Sequence, residues 1–460
     1  MPKITLLGAG SAFTAGLMRD IMLIPDLEGG ELRLVDIDRD RLRVTAALVE
    51  KLADRINRER GRRWSVTAAG DRRKVLKGTE YVINCIEVSG LECVRYDNDI
   101  PLKYGIDQCI GDTIGPGGIF KALRTVPPWL RILEDIEAMC GSALVMNYTN
   151  PMSIMTLAAV RSTSAPVIGL CHSVQGSSRE MAKAAGVPYD KMAFKCGGVN
   201  HLAWFTELKH NGRNLYPRIF RRVLKDPELY ETNPVRFDMM LHFGAFVTES
   251  SGHLSEYVPY YRKRKDTLEK YCRDGYRGGS SFYADNWPNW RKASDRKRRD
   301  QAKDVSAIEL KRGLEYAGEI IEAHAANRPT TIFGSVANTG LITNLPADGV
   351  VEVGVTVDSS GFNPTYFGPL PPQMAAFCAA HMYVYDLVVK GIMNRDRESI
   401  YQAMALDPLS AAVCTPEECR RMTDEMALAE KQFIPSFMSR GLKKRPRRAA
   451  GRDGAGRSKP

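Results

Sequence analysis

The sequence predicts an α/β fold in which a doubly wound parallel sheet is followed by an α+β region. Short continuous apolar runs, typical of parallel strands covered on both faces, occur at 80–88, 142–150 and 166–171. They alternate with helical patterns, which is typical of strand–helix–strand units. The chain has 460 residues, of which 44% are hydrophobic, and this size suits two domains fused through a common core.

The chain opens with the order of elements found in nucleotide-binding units. Residues 3–10, KITLLGAG, form an apolar run that ends in glycines, and residues 13–24 then show helical spacing. The run 31–38, ELRLVDID, alternates and closes on aspartates, and a charged helix at about 39–60 follows. This order of elements, a strand, a glycine turn, a helix, a second strand and an acid, predicts a Rossmann-like unit.

The loop from Gly8 to Ser11 indicates a dinucleotide site. Gly8 permits the tight turn, and Gly10 lets backbone N–H groups approach a pyrophosphate at the helix N-terminus. Phe13 replaces the third glycine of the usual pattern, which affects helix packing rather than phosphate binding. Asp36 ends the second strand, where an acid accepts from ribose hydroxyls and disfavours a 2′-phosphate. We therefore expect NAD, with a purely structural turn as the alternative.

After about residue 195 the pattern changes. The stretch 203–216 predicts a hairpin with its turn at Asn211-Gly212, where positive φ is needed. Helical stretches dominate the remainder, apart from further β structure at 331–357. We expect three parts: a Rossmann-like domain at 1–195, an α+β domain at 196–440 and a basic disordered tail at 441–460.

The net charge of +11 does not predict a nucleic-acid-binding protein, because most of the charge lies in the tail. The last twenty residues carry eight Lys or Arg and one Asp, which leaves +4 for the other 440. Such a Gly/Pro/Arg-rich end buries too little apolar surface to become ordered. A second basic stretch, 290–303, has no aromatic platform beyond Trp290 and predicts a solvated helical face or loop.

Composition also bears on the compartment. No run approaches the roughly 18–20 apolar residues of a membrane helix, and the N-terminus lacks the apolar region of a signal peptide. The ten cysteines show no C-x-x-C pair and no disulfide-like spacing. The sequence therefore predicts a cytoplasmic protein without a membrane partner.

A cysteine and two histidines form a candidate metal site. Cys171 and His172 follow the apolar run 166–170, so we expect them at the carboxyl edge of the sheet, where open α/β folds bind ligands. His201 lies thirty residues on. A thiolate and a neutral imidazole suit a divalent metal of borderline softness. The spacing itself carries no meaning, so a buried cysteine and a hydrogen-bonded histidine are the alternative.

Taken together, several stretches resemble glycoside hydrolase family 4, the NAD- and divalent-metal-dependent glycosidases. The likeness covers nearly the whole chain except the tail. The stretches are ITLLGAGSAFT (4–14), NYTNPM (147–152), GLCHSVQG (169–176), GGVNHLAWF (197–205), VTESSGHLSEYVPY (247–260) and NTGLITNLPADGVVEV (338–353). The resemblance implies a second domain like the C-terminal domain of lactate and malate dehydrogenases, and a homodimer or homotetramer.

The resemblance also implies roles for individual residues. Cys171 and His201 match the two protein ligands of the metal, usually Mn²⁺. Asn150 matches the residue that hydrogen-bonds the sugar hydroxyls, and His172 matches the acid that protonates the leaving group. Asp112 matches an aspartate that raises the basicity of the catalytic base.

The catalytic base is not assigned by the resemblance, and Tyr257, Glu256 and Glu249 are the candidates. The family mechanism begins with oxidation at C3 of the sugar by NAD⁺, which acidifies the proton on C2. The base removes that proton, the leaving group departs, water adds and the hydride returns. The dinucleotide loop and the metal pair therefore belong to one active site.

The predicted substrate is an unphosphorylated α-galactoside such as melibiose. Cys171-His172 followed by SVQG resembles the branch acting on unphosphorylated α-glycosides, whereas the 6-phospho branch usually has Asp or Asn at position 172. The motifs contain few cations, which a phosphate or uronic acid would need. An α-glucosidase, α-glucuronidase or α-galacturonidase is the alternative. Arg262, Lys263 or Arg264 would change this expectation if one of them folded over the site.

Two other classes of protein share part of the pattern. A 2-hydroxy acid dehydrogenase has the same Rossmann core and a TNP motif, but it uses an arginine and a His–Asp pair without a metal. Net NADH formation would identify it. A non-catalytic, cofactor-binding regulator would not need the whole set Cys171, His172, His201 and Asn150.

Overall fold

The computed structural model describes residues 1–442, so the expected basic tail lies outside the described residues apart from its first two positions. The strands are β1 (Lys3–Leu7), β2 (Gly29–Val35), β3 (Arg63–Ala69), β4 (Tyr81–Asn84), β5 (Leu144–Asn147), β6 (Val167–Gly169), β7 (Met192–Val199), β8 (Leu202–His210), β9 (Arg213–Asn214), β10 (Phe246–Val247), β11 (Thr330–Ala337), β12 (Val350–Asp358) and β13 (Gly361–Pro364). The helices are α1 (Thr14–Met22), α2 (Arg39–Arg60), α3 (Glu92–Lys103), α4 (Gly115–Cys140), α5 (Met152–Ser162), α6 (Ser173–Ala185), α7 (Tyr216–Lys225), α8 (Pro227–Thr232), α9 (Pro234–Phe243), α10 (Ser251–Tyr257), α11 (Lys265–Tyr271), α12 (Phe282–Lys303), α13 (Tyr316–Ala326), α14 (Pro372–Asn394), α15 (Arg397–Leu406), α16 (Pro408–Val413), α17 (Pro416–Ala429) and α18 (Ser436–Ser439).

The strands form one mixed sheet. Six parallel strands follow the order β3-β2-β1-β4-β5-β6, which is the strand order of a dinucleotide-binding Rossmann fold. Antiparallel strands then extend the sheet from β6 in the order β11-β12-β7-β8-β10. The predicted fold class, a Rossmann-like doubly wound sheet followed by an α+β region, is confirmed.

Helices cover both faces of the parallel half. The strand order reverses at β1, so right-handed crossovers place α1 and α2 on one face and α4 and α5 on the other. Helix α13 packs against α1, and α14 packs against both α4 and α5. Within residues 1–442, α14 is the one helix long and apolar enough to cross a membrane, and half of its apolar stretch is buried in this packing.

The predicted hairpin is confirmed, with β8 and β9 paired across the turn at Asn211-Gly212. Both turn residues have positive φ, 49° and 73°. On its other edge β8 pairs with β10, with Phe246 opposite Phe205 and Val247 opposite Trp204. This register brings the chain after β10 beside the turn between β7 and β8.

Candidate active site

The glycine loop connects β1 to α1 at the carboxyl edge of the parallel strands. Gly8 has φ +79°, and a side chain there would come within 2.4 Å of the Cys85 carbonyl oxygen, so the position requires glycine. The Gly8 N–H donates to the Val35 carbonyl at 2.9 Å. The Ser11 N–H donates to the Gly8 carbonyl at 2.9 Å, and the Ser11 hydroxyl accepts from the Phe13 N–H at 3.3 Å. These bonds fold the loop into the tight turn expected of a phosphate-binding loop.

Asp36 contacts this loop directly. The Gly10 N–H donates to Asp36 Oδ2 at 2.6 Å. Arg41 of α2 donates to the Gly10 carbonyl at 2.7 Å, and Arg298 of α12 donates to the same oxygen. Arg298 is 6% exposed, so the predicted solvated face at 290–303 holds one buried side chain that contacts the loop. Sequence reasoning missed both arginines, because neither shows any pattern that points to the loop.

Cys171 and His201 lie side by side although thirty residues separate them. The Sγ atom of Cys171 is 3.3 Å from Nε2 of His201. Zinc-like bond lengths of about 2.3 Å to sulfur and about 2.05 Å to nitrogen place two ligand atoms about 3.1 Å apart at a right angle and about 3.6 Å apart at the tetrahedral angle. The observed separation falls between these values, so the pair fits one divalent metal.

The fold places this pair where the sheet changes from parallel to antiparallel. Cys171 follows β6, the last parallel strand, and His201 occupies the turn between β7 and β8 with φ +63°. Burial raises the pKa of the Cys171 thiol to about 12 and lowers the pKa of His201 to about 4. His201 is therefore neutral near pH 7, which is the form that binds metals.

Asp112 and Asn150 form a second pair in the site. The Asn150 amide donates to Asp112 Oδ2 at 3.4 Å, and the Lys121 ammonium on α4 lies 3.4 Å from the same oxygen. Burial alone would raise the pKa of Asp112, but Lys121 and His253 outweigh it and lower the pKa to about 2. Lys121 also pairs with Glu87 at 3.5 Å, so two carboxylates share its charge. Lys121 was missed because it lies within a mostly apolar helix.

Glu256 holds the chain segment that leads to Asp112. Its carboxylate accepts the backbone N–H groups of Cys109 at 2.5 Å, Ile110 at 2.6 Å and Gly111 at 3.2 Å. The side chain is almost fully buried. Both oxygens are therefore occupied, which makes Glu256 a structural anchor rather than the first choice for the catalytic base.

The other two candidates for the base differ in their partners. Glu249 Oε2 lies 2.7 Å from His253 Nδ1 in a largely buried ion pair. Burial opposes both charges, but Glu249 raises the pKa of His253 to about 9 and His253 holds that of Glu249 well below its ordinary value. The Tyr257 hydroxyl is buried without a hydrogen-bond partner among the described residues, and its ring lies 6.4 Å from that of His201. Of the three, Tyr257 has the uncommitted polar atom.

His172 is exposed and occupies the cap position at the start of α6, directly after Cys171. The exposed position leaves its imidazole accessible to a leaving group. Burial raises the pKa of Glu315, and His172 opposes part of that rise.

Two of the three cations that follow the 247–260 motif are engaged elsewhere. Arg262 is buried, with Nη2 2.8 Å from Asp107 Oδ1 and both terminal nitrogens donating to the Gly278 carbonyl. Arg264 pairs with Asp266 at the surface, 3.0 Å apart. Lys263 is exposed.

Comparison with known proteins assigns both halves of the chain to one family. The family model described as Family 4 glycosyl hydrolase matches residues 3–187. The model described as Family 4 glycosyl hydrolase C-terminal domain matches residues 196–410. The two matches together span most of the chain.

Individual relatives agree with this assignment. An α-galactosidase of Bacillus subtilis (strain 168) is 37% identical over 448 residues, covering 95% of this chain and 100% of the relative. An α-galactosidase of Rhizobium meliloti (strain 1021) is 36% identical over 444 residues, covering 95% and 89%. The crystal structure of a 6-phospho-α-glucosidase from gut microorganisms, in complex with NAD and Mn²⁺, has a TM-score of 0.78 at 20% identity and covers 94% of this chain and 99% of that one. At that identity the structural likeness establishes the fold alone.

Proposed function

Because this chain belongs to the family 4 glycosyl hydrolases, we propose that it hydrolyses α-galactosides of the melibiose type. The observation that carries the proposal is the Cys171–His201 pair, placed on the same sheet as a dinucleotide loop. The two α-galactosidase relatives, each aligned over 95% of the chain, support the choice of sugar.

NAD and Mn²⁺ are the cofactors we infer. The Cys171 Sγ and His201 Nε2 atoms are 3.3 Å apart, a separation that fits one metal. When bound, the dinucleotide supplies a hydride acceptor and the metal supplies a Lewis acid. A protein of the same fold holds both. The residues proposed to hold the dinucleotide are Gly8, Gly10, Ser11 and Asp36.

The chain's own side chains divide the remaining work. Asn150, whose amide donates to Asp112, is the residue that the family resemblance assigns to the sugar hydroxyls. Tyr257 is the proposed base for the C2 proton, because its hydroxyl has no other partner among the described residues. Burial, then Tyr385 and Asp112, hold the pKa of Tyr257 well above its ordinary value, so the free hydroxyl is protonated near pH 7 and must lose its proton before it can act as the base. His172 gives a proton to the departing oxygen.

The charges around the site favour a neutral sugar. A 6-phosphate or a uronic acid needs an uncommitted cation or a nest of backbone N–H groups. Lys121 is shared by Glu87 and Asp112, and Arg262 is bound to Asp107. An anionic sugar would have to break one of these buried pairs.

The test is kcat/KM for 4-nitrophenyl α-galactoside against the α-glucoside, the α-glucuronide and the 6-phosphates of the neutral sugars, with NAD⁺, Mn²⁺ and a reductant. The α-galactoside should be preferred. A clear preference for a phosphorylated or uronic substrate would contradict the proposed sugar. Stoichiometric NADH formation would instead indicate a dehydrogenase.

The organisation of the protein is also a proposal. All ten cysteines are unpaired, which fits a reducing cytoplasm. Light scattering of the purified protein would test the proposed homodimer or homotetramer, and limited proteolysis would test the domain boundary near residue 195. No specific nucleic-acid partner is proposed.

A further inference from the structure

A second histidine beside the metal pair has no role in the proposed function. His253 lies on α10, with Nδ1 2.7 Å from Glu249 Oε2 and 3.0 Å from Ser250 Oγ. Only 9% of the His253 side chain and 19% of the Glu249 side chain are exposed. This carboxylate and this imidazole are therefore held together away from bulk solvent, unlike the surface pairs of the protein.

The sheet brings this pair to His201. Because β10 pairs with β8, with the Thr248 N–H donating to the Ala203 carbonyl at 2.9 Å, the following residues come next to the β7–β8 turn. The rings of His201 and His253 lie 4.6 Å apart at 69°. Ligand atoms of His201, Glu249 and His253 all fall within 4.8 Å of one another. His201 therefore belongs both to the pair with Cys171 and to the cluster with Glu249 and His253.

Backbone strain marks the same place. His201 has φ +63° and Glu249 has φ +73°, a region that residues other than glycine seldom adopt. Such strained conformations tend to occur where a side chain must be aimed for function. Both strained residues belong to the His201–Glu249–His253 cluster.

We propose that His253 is a third protein ligand of the metal held by Cys171 and His201, and that Glu249 is the carboxylate that fixes the His253 ring. Nδ1 faces Glu249, which leaves Nε2 for a metal. Metal-binding histidines commonly donate their other ring N–H to a carboxylate in this way. The inference rests on the proposed function, because it concerns the same metal.

Binding of Mn²⁺ to the NAD-loaded protein without sugar tests the assignment, with free Mn²⁺ measured by its EPR signal. His253→Gln should weaken Mn²⁺ binding by about 100-fold or more. Glu249→Gln should weaken it by about 10- to 100-fold, the effect of losing an outer-shell partner. The control is His242→Gln, since His242 also pairs with an acid four residues before it, Asp238 at 3.7 Å, but is 71% exposed. It should change binding by less than about 2-fold.

Pulsed EPR of the wild-type Mn²⁺ protein gives a count that does not depend on a variant folding. Two coordinated imidazoles are expected, and one imidazole would overturn the proposal. Unchanged Mn²⁺ affinity in a folded His253→Gln variant would overturn it too. If Cys171→Ser loses the metal while His253→Gln keeps it, the inference fails and the proposed function stands. If Cys171→Ser also binds Mn²⁺ normally, both fail.

Discussion

Glu256→Gln separates an anchoring role from a catalytic one at a candidate base. Glu256 accepts three backbone N–H groups, two at Oε1 and one at Oε2, from the segment 109–111 that leads to Asp112. Glutamine can keep its carbonyl oxygen toward Cys109 and Ile110. Its NH₂ group would then face the Gly111 N–H, where donor meets donor.

The size of the loss follows from these bonds. Hydrogen bonds to a charged group contribute about 1.5–3 kcal/mol, against about 0.5–1.5 kcal/mol for neutral ones. Weakening two of these hydrogen bonds and losing the third lowers the free energy of unfolding by about 4 kcal/mol. Glutamine is uncharged and costs less to bury than a carboxylate, which offsets part of this loss. We expect a net loss of about 3 kcal/mol. Unfolding of 460 residues carries an entropy of about 1 kcal/mol/K, so Tm should fall by about 3 °C.

The assay pairs thermal melting with initial rates on 4-nitrophenyl α-galactoside, measured well below Tm. A folded Glu256→Gln variant should lose about 10-fold in kcat, because Asp112 is less well positioned. Glu269→Gln is the control, since the Glu269 side chain is 66% exposed and makes one loose surface pair with Lys265 at 3.7 Å. An unchanged Tm together with a 1,000-fold loss in kcat would refute this reasoning and make Glu256 the base.

Three further outcomes are expected. Gly10→Ala should weaken NAD⁺ binding by about 10-fold or more in a fluorescence titration, because the new methyl group would lie 2.8 Å from Asp36 Oδ2. The control is Gly16→Ala in α1, which has open space around it and should leave NAD⁺ binding unchanged. Burial raises the pKa of Asp407 from 3.8 to about 6, so the folded state retains a proton that the unfolded chain loses. The free energy of unfolding should therefore fall by up to about 3 kcal/mol as pH rises from about 4 to 6. Asp407→Asn should abolish that fall in melts compared at pH 4 and pH 7, and an equal fall in the variant would contradict the assignment. Removal of metal with EDTA should abolish glycoside hydrolysis and Mn²⁺ should restore it best, whereas full activity of metal-stripped protein would contradict the mechanism.

The parallel half of the fold was predictable because its signals are local. A buried parallel strand is a continuous apolar run, and the run at 142–150 contains β5. The glycine at position 8 is required by a turn that closes within a few residues. Helix α2 begins and ends where the charged periodic stretch 39–60 does. Each of these features is specified by residues close together in the chain.

The site needed information that spacing does not carry. Cys171 and His201 meet because β6 and β7 lie on the two sides of β11 and β12, an order set by long-range strand pairing. The resemblance to family 4, rather than the spacing, predicted that these two residues act together. His253 lies in the motif at 247–260 and stands four residues after Glu249, a spacing typical of a pair on one helix face. Nothing in the spacing indicates that the pair faces His201, because that depends on β10 pairing with β8.

The two halves of the chain also meet at the dinucleotide loop. Arg298 of α12 donates to the Gly10 carbonyl across 288 residues of sequence, and Asp295, also on α12, pairs with Arg41 at 3.0 Å. Without its second half, the chain would therefore lack the contacts of α12 with the loop and the His201 member of the metal pair. Hydride transfer and proton removal at neighbouring sugar carbons demand that the two sites keep a fixed separation. One continuous sheet, with α12 in contact with the loop, can hold that separation constant.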